Sequence, residues 1–433
     1  MTALHLDQTH FLVYDGAMGT MLQQFGLAPG ESPDLFCLTN PDAVEQVHRA
    51  YVDAGAQLLC TNTFGANRRN LASSGHTVQE VIGAAVRIAR RAADGRAKVA
   101  LDIGPIGTLM APMGNLAFDE AYDLFREMAI AGMESGADLA AIETMADLAE
   151  VRAAILAVRE NTTLPIFVTM TFEHSGRTYL GTTPESFALT AEALGVSALG
   201  VNCSKGPAAL LPIVKRMARV TDLPLIVKPN AGLPGHGASL TPEEFAADMA
   251  AFVAVGVRII GGCCGTGPDY IRALQKTFAP LHPRPQKPAM QAMACTAASV
   301  QLLDDRMMLG TSLLSESTST KQFLEALASG DFEVILELIQ ADLDDGADLI
   351  CIPIRESDQI EPAALGKMLE ELRGFLTCPL VFVGSSAPCL ETALRHYHGK
   401  ACFLADDEAD LDTLSDSIIK YGAMILGCQA QAE

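Results

Sequence analysis

Three cysteines carry the most informative chemistry in this sequence. Cys203 follows one apolar run, and the adjacent Cys263 and Cys264 lie in a glycine-rich segment after another. Adjacent residues of a regular strand point to opposite faces, so both thiols can face one point only where the chain leaves strand geometry, which glycine permits. Three thiolates with an open fourth position are typical of a catalytic zinc site, whereas a structural site has four protein ligands. We therefore expect these cysteines to bind Zn²⁺.

The same three thiolates indicate which reaction the metal would assist. They leave the site net negative and a poor Lewis acid for activating water, whereas a thiol in the fourth position would lose its proton and stay nucleophilic. This favours alkyl transfer to a substrate thiol. A Cys-Cys pair alone is usually packing, but Cys203 at a second strand end favours the metal. The sequence has no Cys-x-x-Cys, which disfavours a redox pair.

A thiol amino acid as substrate would need carboxylates for its ammonium group and backbone N–H groups for its carboxylate. Asp15 and Glu143 follow apolar runs, where a carboxylate is rarely left unpaired. The alternatives are an Asx turn or a helix cap for Asp15, a core arginine partner for Glu143 and a plain turn for Asn230. The candidate substrate-binding residues are Asp15, Gly16, Ala17, Thr63, Glu143 and Asn230.

The elements that must position these residues form a regular pattern. Short apolar runs alternate with helical patterns, which predicts parallel strands in βα units. Eight such units in about 280 residues favour a (β/α)8 barrel, with a doubly wound sheet as the alternative. Each run ends in a polar or glycine-rich cluster, where barrel enzymes place their chemistry. The predicted strands are 11–14, 57–61, 98–103, 139–143, 165–171, 198–202, 224–228 and 258–261.

The chain continues beyond the predicted barrel. We predict a barrel over 1–282, a proline-rich linker over 283–300 and a smaller α/β unit over 301–433 with four or five strands. That is too few strands for a closed barrel, so exposed strand edges would favour packing on the barrel or a homodimer.

Composition limits the function classes. The net charge of −22 argues against nucleic-acid binding, and no apolar run is long enough to span a membrane. Eleven cysteines without a secretory signal favour reduced thiols in a cytoplasm. Cys60, Cys351 and Cys402 lie in apolar runs and are expected to be buried packing residues.

Seven motifs resemble the homocysteine S-methyltransferase domain family over about residues 8–280. They are DGAMGT (15–20), NTFGAN (62–67), DIGPIG (102–107), IETM (142–145), GVNC (200–203), PNAGLP (229–234) and GGCCGTGPDYI (261–271). The resemblance implies a (β/α)8 barrel that binds zinc through Cys203, Cys263 and Cys264, with homocysteine sulfur as fourth ligand. It also implies that Asp15 and Glu143 bind the amino group and that the loops at 16–17 and Thr63 help hold the carboxylate.

Residues 310–357 and 379–394 resemble the start of the pterin-binding barrel of cobalamin-dependent methionine synthase. Pro353, Arg355 and Gly384 stand where that family places acidic and Asn groups, and no Asp-x-His-x-x-Gly cobalamin motif occurs. The expected activity is methyl transfer to zinc-bound homocysteine, forming methionine, with methylcobalamin as donor, free or on a separate corrinoid protein. The alternatives are a betaine or S-methylmethionine donor, a non-catalytic homocysteine or zinc sensor, and a structural zinc protein.

Overall fold

The computed structural model describes residues 9–232, 239–284, 291–314 and 317–428. Within those limits the chain forms two compact units. The predicted division at residues 282 and 300 stays a prediction. No helix of the described ranges is long and apolar enough to cross a membrane. The first unit takes in Met1–Thr108, Leu116–Leu180 and Val196–Pro288, and the second Leu109–Asn115, Gly181–Gly195 and Ala289–Glu433.

The first unit contains a parallel eight-stranded sheet. A parallel bridge between Tyr14 and Leu58 joins its first and second strands, and so brings the two ends of the sheet together. The (β/α)8 barrel is confirmed over the doubly wound alternative. In the spatial order β1-β8-β7-β6-β5-β4-β3-β2, the strands are β1 (Leu12–Val13), β2 (Leu58–Cys60), β3 (Lys98–Ile103), β4 (Leu139–Met145), β5 (Ile166–Met170), β6 (Ala198–Cys203), β7 (Leu225–Pro229) and β8 (Val257–Ile260).

Helices alternate with these strands along the chain. Their starts follow the sequence signals: Thr241 forms a capping box with Glu244, as its position before Pro242 predicts. Short 3₁₀ turns lie at Gln23–Phe25, Pro33–Leu35 and Ala250–Val255. The helices are α1 (Gly19–Leu22), α2 (Phe36–Thr39), α3 (Pro41–Asp53), α4 (Arg68–Leu71), α5 (Val78–Ala93), α6 (Phe118–Glu134), α7 (Leu148–Asn161), α8 (Pro184–Ala193), α9 (Pro207–Met217), α10 (Pro242–Met249) and α11 (Pro268–Phe278).

The barrel interior explains where the site lies. A buried cluster of inward side chains fills it, including Leu58, Ala100, Ala141 and Ile226. Side chains of a strand alternate, so the residues two positions further along each strand also point inward. At the carboxyl ends these positions carry polar groups instead of apolar ones. They are Cys60, Asp102, Glu143 and Lys228.

The second unit holds a separate parallel sheet of five strands, within the predicted number. An antiparallel hairpin precedes this sheet, and the first strand of the hairpin lies in the predicted linker. At the carboxyl end of the sheet, Arg355 pairs with Asp406 at 3.0 Å, and Gly384 has a φ of 143°. The hairpin is β9 (Met293–Cys295) and β10 (Val300–Leu302); the sheet is β11 (Leu309–Gly310), β12 (Leu349–Pro353), β13 (Leu380–Val383), β14 (Cys402–Ala405) and β15 (Met424–Cys428), with helices α12 (Thr318–Ser329), α13 (Phe332–Asp344), α14 (Pro362–Leu372), α15 (Ala387–His396) and α16 (Glu408–Tyr421).

Candidate metal and substrate site

The three predicted ligand thiols come together at the carboxyl end of the barrel. The Sγ atoms of Cys203, Cys263 and Cys264 all lie within 4.8 Å of one another. Those of Cys203 and Cys264 are 3.8 Å apart. A tetrahedral zinc ion with Zn–S bonds of about 2.3 Å places its sulfur ligands about 3.8 Å apart. The donor set therefore fits zinc in both chemistry and spacing.

Unusual backbone geometry turns these thiols toward one point. Cys203 and Ser204 have φ values of 59° and 56°, in the left-handed region that residues other than glycine seldom adopt. On the facing loop, Gly265 has a φ of 78°. A Cβ on Gly262 would collide with the Thr266 side chain, so only glycine fits there. Strained backbone of this kind is typical of functional sites.

Two asparagine side chains reach the sulfurs. Asn230 Nδ2 lies 3.7 Å from Cys203 Sγ, and Asn202 Nδ2 lies 3.8 Å from Cys263 Sγ. Hydrogen bonds from the other two thiols hold the pKa of Cys203 below its usual value, while those of Cys263 and Cys264 are raised. Because thiolates are the form that binds zinc, metal binding would release the thiol protons.

Two carboxylates predicted to bind substrate lie in the same cavity. Asp15 is buried; its Oδ2 accepts the Cys60 N–H at 2.8 Å, and its Oδ1 has no hydrogen-bond partner. Burial raises the pKa of Asp15 to about 7, although the Lys228 ammonium opposes this rise. Glu143 Oε2 accepts a 2.5 Å hydrogen bond from Lys228 Nζ. Glu143 does pair with a buried cation, as its alternative expected, although the cation is a lysine and not an arginine. Asp15 accepts the Cys60 N–H instead of forming an Asx turn, and the next helix has Met18 as its N-cap.

A single open cavity of about 380 Å³ joins the thiols to the carboxylates. Phe64 is the aromatic side chain among its lining residues, and Gly104 leaves room for that ring, since a Cβ there would come within 2.6 Å of it. The lining is Asp15, Gly16, Ala17, Met18, Gly19, Thr20, Gln23, Pro33, Cys60, Thr61, Asn62, Phe64, Asp102, Glu143, Thr144, Cys203, Lys228, Gly262, Cys263 and Cys264.

The backbone N–H groups predicted to bind the substrate carboxylate already have other acceptors at two positions. Gly16 and Ala17 line the cavity, but the Ala17 N–H donates to Thr266 O at 3.0 Å. The Thr63 N–H donates to Thr61 O at 2.9 Å, and the Thr63 hydroxyl donates to a backbone carbonyl. A substrate carboxylate would therefore need other donors or a shift of these loops. Asn230 is buried beside Cys203 with its Oδ1 unpartnered, but it is not among the described residues that line the cavity.

Comparison with known proteins agrees with this geometry. The family model for homocysteine S-methyltransferase matches residues 12–278. The chain belongs to the homocysteine S-methyltransferase family. The homocysteine methyltransferase MmuM from Escherichia coli is similar in structure: its metallated form has a TM-score of 0.55 and 27% identity over 61% of this chain and 96% of that one. Its apo form has a TM-score of 0.52 and 26% identity over 64% and 98%.

Longer relatives extend the similarity beyond the barrel. Methionine synthase from Mycobacterium tuberculosis is 29% identical over 96% of this chain, and that from Mycobacterium leprae is 30% identical over 94%. These alignments include most of the second unit. The chain spans little more than a third of these relatives, at 37% and 36% of their lengths.

Sequence reasoning missed several side chains of this homocysteine S-methyltransferase site. Cys60 is buried in the core cluster, as expected, but it also lines the cavity, and its Sγ lies 3.6 Å from Lys228 Nζ. Asn202 fixes the turn after Glu143, because its side chain accepts the Thr144 N–H at 2.9 Å and donates to the Thr144 hydroxyl at 2.7 Å. The available signal was strand alternation, which points each missed residue inward.

Proposed function

We propose that this chain is a zinc-dependent homocysteine S-methyltransferase that forms methionine. The observation that supports this most strongly is one cavity that joins three clustered thiols to buried carboxylates with unpartnered oxygens. The family membership supports homocysteine as the substrate. Cys203, Cys263 and Cys264 would hold the zinc, which when bound would supply a cation that keeps the homocysteine sulfur as a thiolate at neutral pH.

The chain's own residues would bind and orient the amino acid. The ammonium group offers three donors, and Asp15 Oδ1 and Asn230 Oδ1 are buried acceptors without partners. Glu143 supplies a further carboxylate in the cavity that Asp15 lines. Anchoring both the amino group and the sulfur leaves the thiolate aimed at the open side of the cavity, which supplies proximity and alignment. The C–S bond then forms as the bond between the methyl group and its donor breaks, and the donor keeps both electrons.

We propose methylcobalamin as the donor, free or carried by a separate corrinoid protein. The similarity of both units to methionine synthases supports this choice. Onium donors such as betaine or S-methylmethionine favour an aromatic or acidic rim. Among the described lining residues Phe64 alone is aromatic, so an onium donor would have to be held by the carboxylates that the amino group of homocysteine needs. A homodimer and the pterin-like character of the second unit remain predictions.

A homocysteine methylation assay tests the proposal. The zinc-loaded chain is incubated with homocysteine and, in parallel, methylcobalamin, betaine, S-methylmethionine or methyltetrahydrofolate, and methionine is measured. We expect turnover with methylcobalamin and none with the Cys264→Ala variant. Turnover with an onium donor alone would contradict the donor assignment. Homocysteine binding without turnover in every arm would instead support a sensor.

A further inference from the structure

A buried lysine lies within the acidic part of the cavity. The Lys228 side chain is 4% exposed, and its stem crosses the barrel from β7 to reach Glu143 on β4 at 2.5 Å. Its ammonium also lies 3.6 Å from Cys60 Sγ and 4.3 Å from the centroid of the Tyr14 ring. Lys228 is the cation among the described residues that line the cavity.

A glycine beside the lysine leaves space for its side chain. Gly261 packs against Tyr14 and the Lys228 stem, since a Cβ there would lie 2.6 Å from Tyr14 Cβ and 3.4 Å from Lys228 Cγ. Three carboxylates, those of Asp15, Asp102 and Glu143, line the same cavity. Several carboxylates in one cavity favour a counter-ion among them, because ionised carboxylates repel one another.

The Lys228 ammonium also lies against a second cluster of possible metal ligands. Cys60, Asp102 and Glu143 offer ligand atoms within 4.8 Å of one another, a spacing that suits a metal ion. Lys228 Nζ contacts two of these three residues, so the cation in this cluster is supplied by the chain. A second metal there would meet the lysine ammonium.

We propose that Lys228 is a positioning residue that orients Glu143 to receive the substrate's amino group. This inference rests on the proposed function. Lys228 bonds Oε2 of Glu143, and among the described residues no hydrogen bond reaches Oε1. The lysine thus holds one oxygen and leaves the other for the incoming ammonium. The effect is specificity for a thiol that carries an amino group.

The test measures binding of two thiols to the zinc-loaded chain by calorimetry. Homocysteine carries the amino group, and 4-mercaptobutyrate has the same thiol and carboxylate without it. The Lys228→Met variant should lose at least about tenfold in its preference for homocysteine, the value of one charge-assisted hydrogen bond. Its affinity for 4-mercaptobutyrate and its zinc content should be unchanged.

A variant pair keeps the test decisive if Lys228→Met alone does not fold. Removing both partners of a buried ion pair avoids an uncompensated charge, so Lys228→Met with Glu143→Gln is compared with Glu143→Gln alone. A residue that acts through Glu143 adds no further loss of preference in that background.

Two results would overturn the inference. The first is an unchanged preference in Lys228→Met. The second is a Lys228→Met variant that binds homocysteine and 4-mercaptobutyrate equally more weakly but binds 3-mercaptopropylamine, which lacks the carboxylate, as tightly as the wild type does. Lys228 would then bind the substrate carboxylate. If the wild-type protein binds neither homocysteine nor 4-mercaptobutyrate, the proposed function fails before Lys228 is tested.

Discussion

The protonation of Asp15 gives the pocket a pH dependence that can be measured. Burial raises its pKa to about 7, so the carboxyl is mostly neutral below that pH and mostly ionised above it. The substrate ammonium favours the ionised form. Homocysteine should therefore bind more tightly as the pH rises through about 7.

The size of the effect follows from the titration of one group. With a pKa of about 7, the ionised fraction of Asp15 rises from about 9% at pH 6 to about 90% at pH 8, about a tenfold change. If the ionised form is the one that binds the ammonium, the affinity for homocysteine gains the same factor. Deprotonation of the thiol adds its own pH dependence, which has to be removed by comparison.

The comparison uses 4-mercaptobutyrate as the thiol without an amino group. The ratio of its dissociation constant to that of homocysteine is measured by calorimetry at pH 6, 7 and 8 on the zinc-loaded chain. This ratio should rise about tenfold in the wild type. It should be lower and flat in Asp15→Asn, which keeps the shape of the side chain and an acceptor for the Cys60 N–H. A flat ratio in the wild type, or the same slope in the variant, would refute the role of Asp15.

Two further predictions concern the metal and the fold. Cys264→Ala should not retain one equivalent of zinc after gel filtration. The control variant Cys351→Ala, which changes a buried cysteine of the second unit, should retain it. Equal zinc content in both variants would contradict the ligand assignment. Thr241→Ala removes the side chain that accepts the Glu244 N–H in a capping box, so we expect a loss of about 1 kcal/mol in the free energy of unfolding by urea; an unchanged urea midpoint would show that this cap contributes nothing.

The barrel and the clustering of the three thiols could be predicted from the sequence for a physical reason. Parallel strands of a barrel bring their carboxyl ends together, so Cys203 at the end of β6 and Cys263 after β8 had to meet once the strands were recognised. The glycines around Cys263 and Cys264 marked the departure from strand geometry that adjacent ligands need.

The ion pair between Lys228 and Glu143 could not be predicted in the same way. Lys228 closes an apolar run, where a lysine is usually a solvated strand end, and its partner Glu143 lies 85 residues away in the chain. No spacing rule links β7 to β4, which are separated by two strands in the sheet. The loop amides of Ala17 and Thr63 were also unpredictable, because their use depends on local turns.

Coordination of the homocysteine sulfur by the zinc of the three cysteines is the central claim, and X-ray absorption tests it most directly. The zinc-loaded chain is measured at the zinc edge alone and with selenohomocysteine. We predict three sulfur ligands in both samples and one added selenium neighbour in the second. An unchanged zinc environment, under conditions where calorimetry shows that selenohomocysteine binds, would contradict the claim.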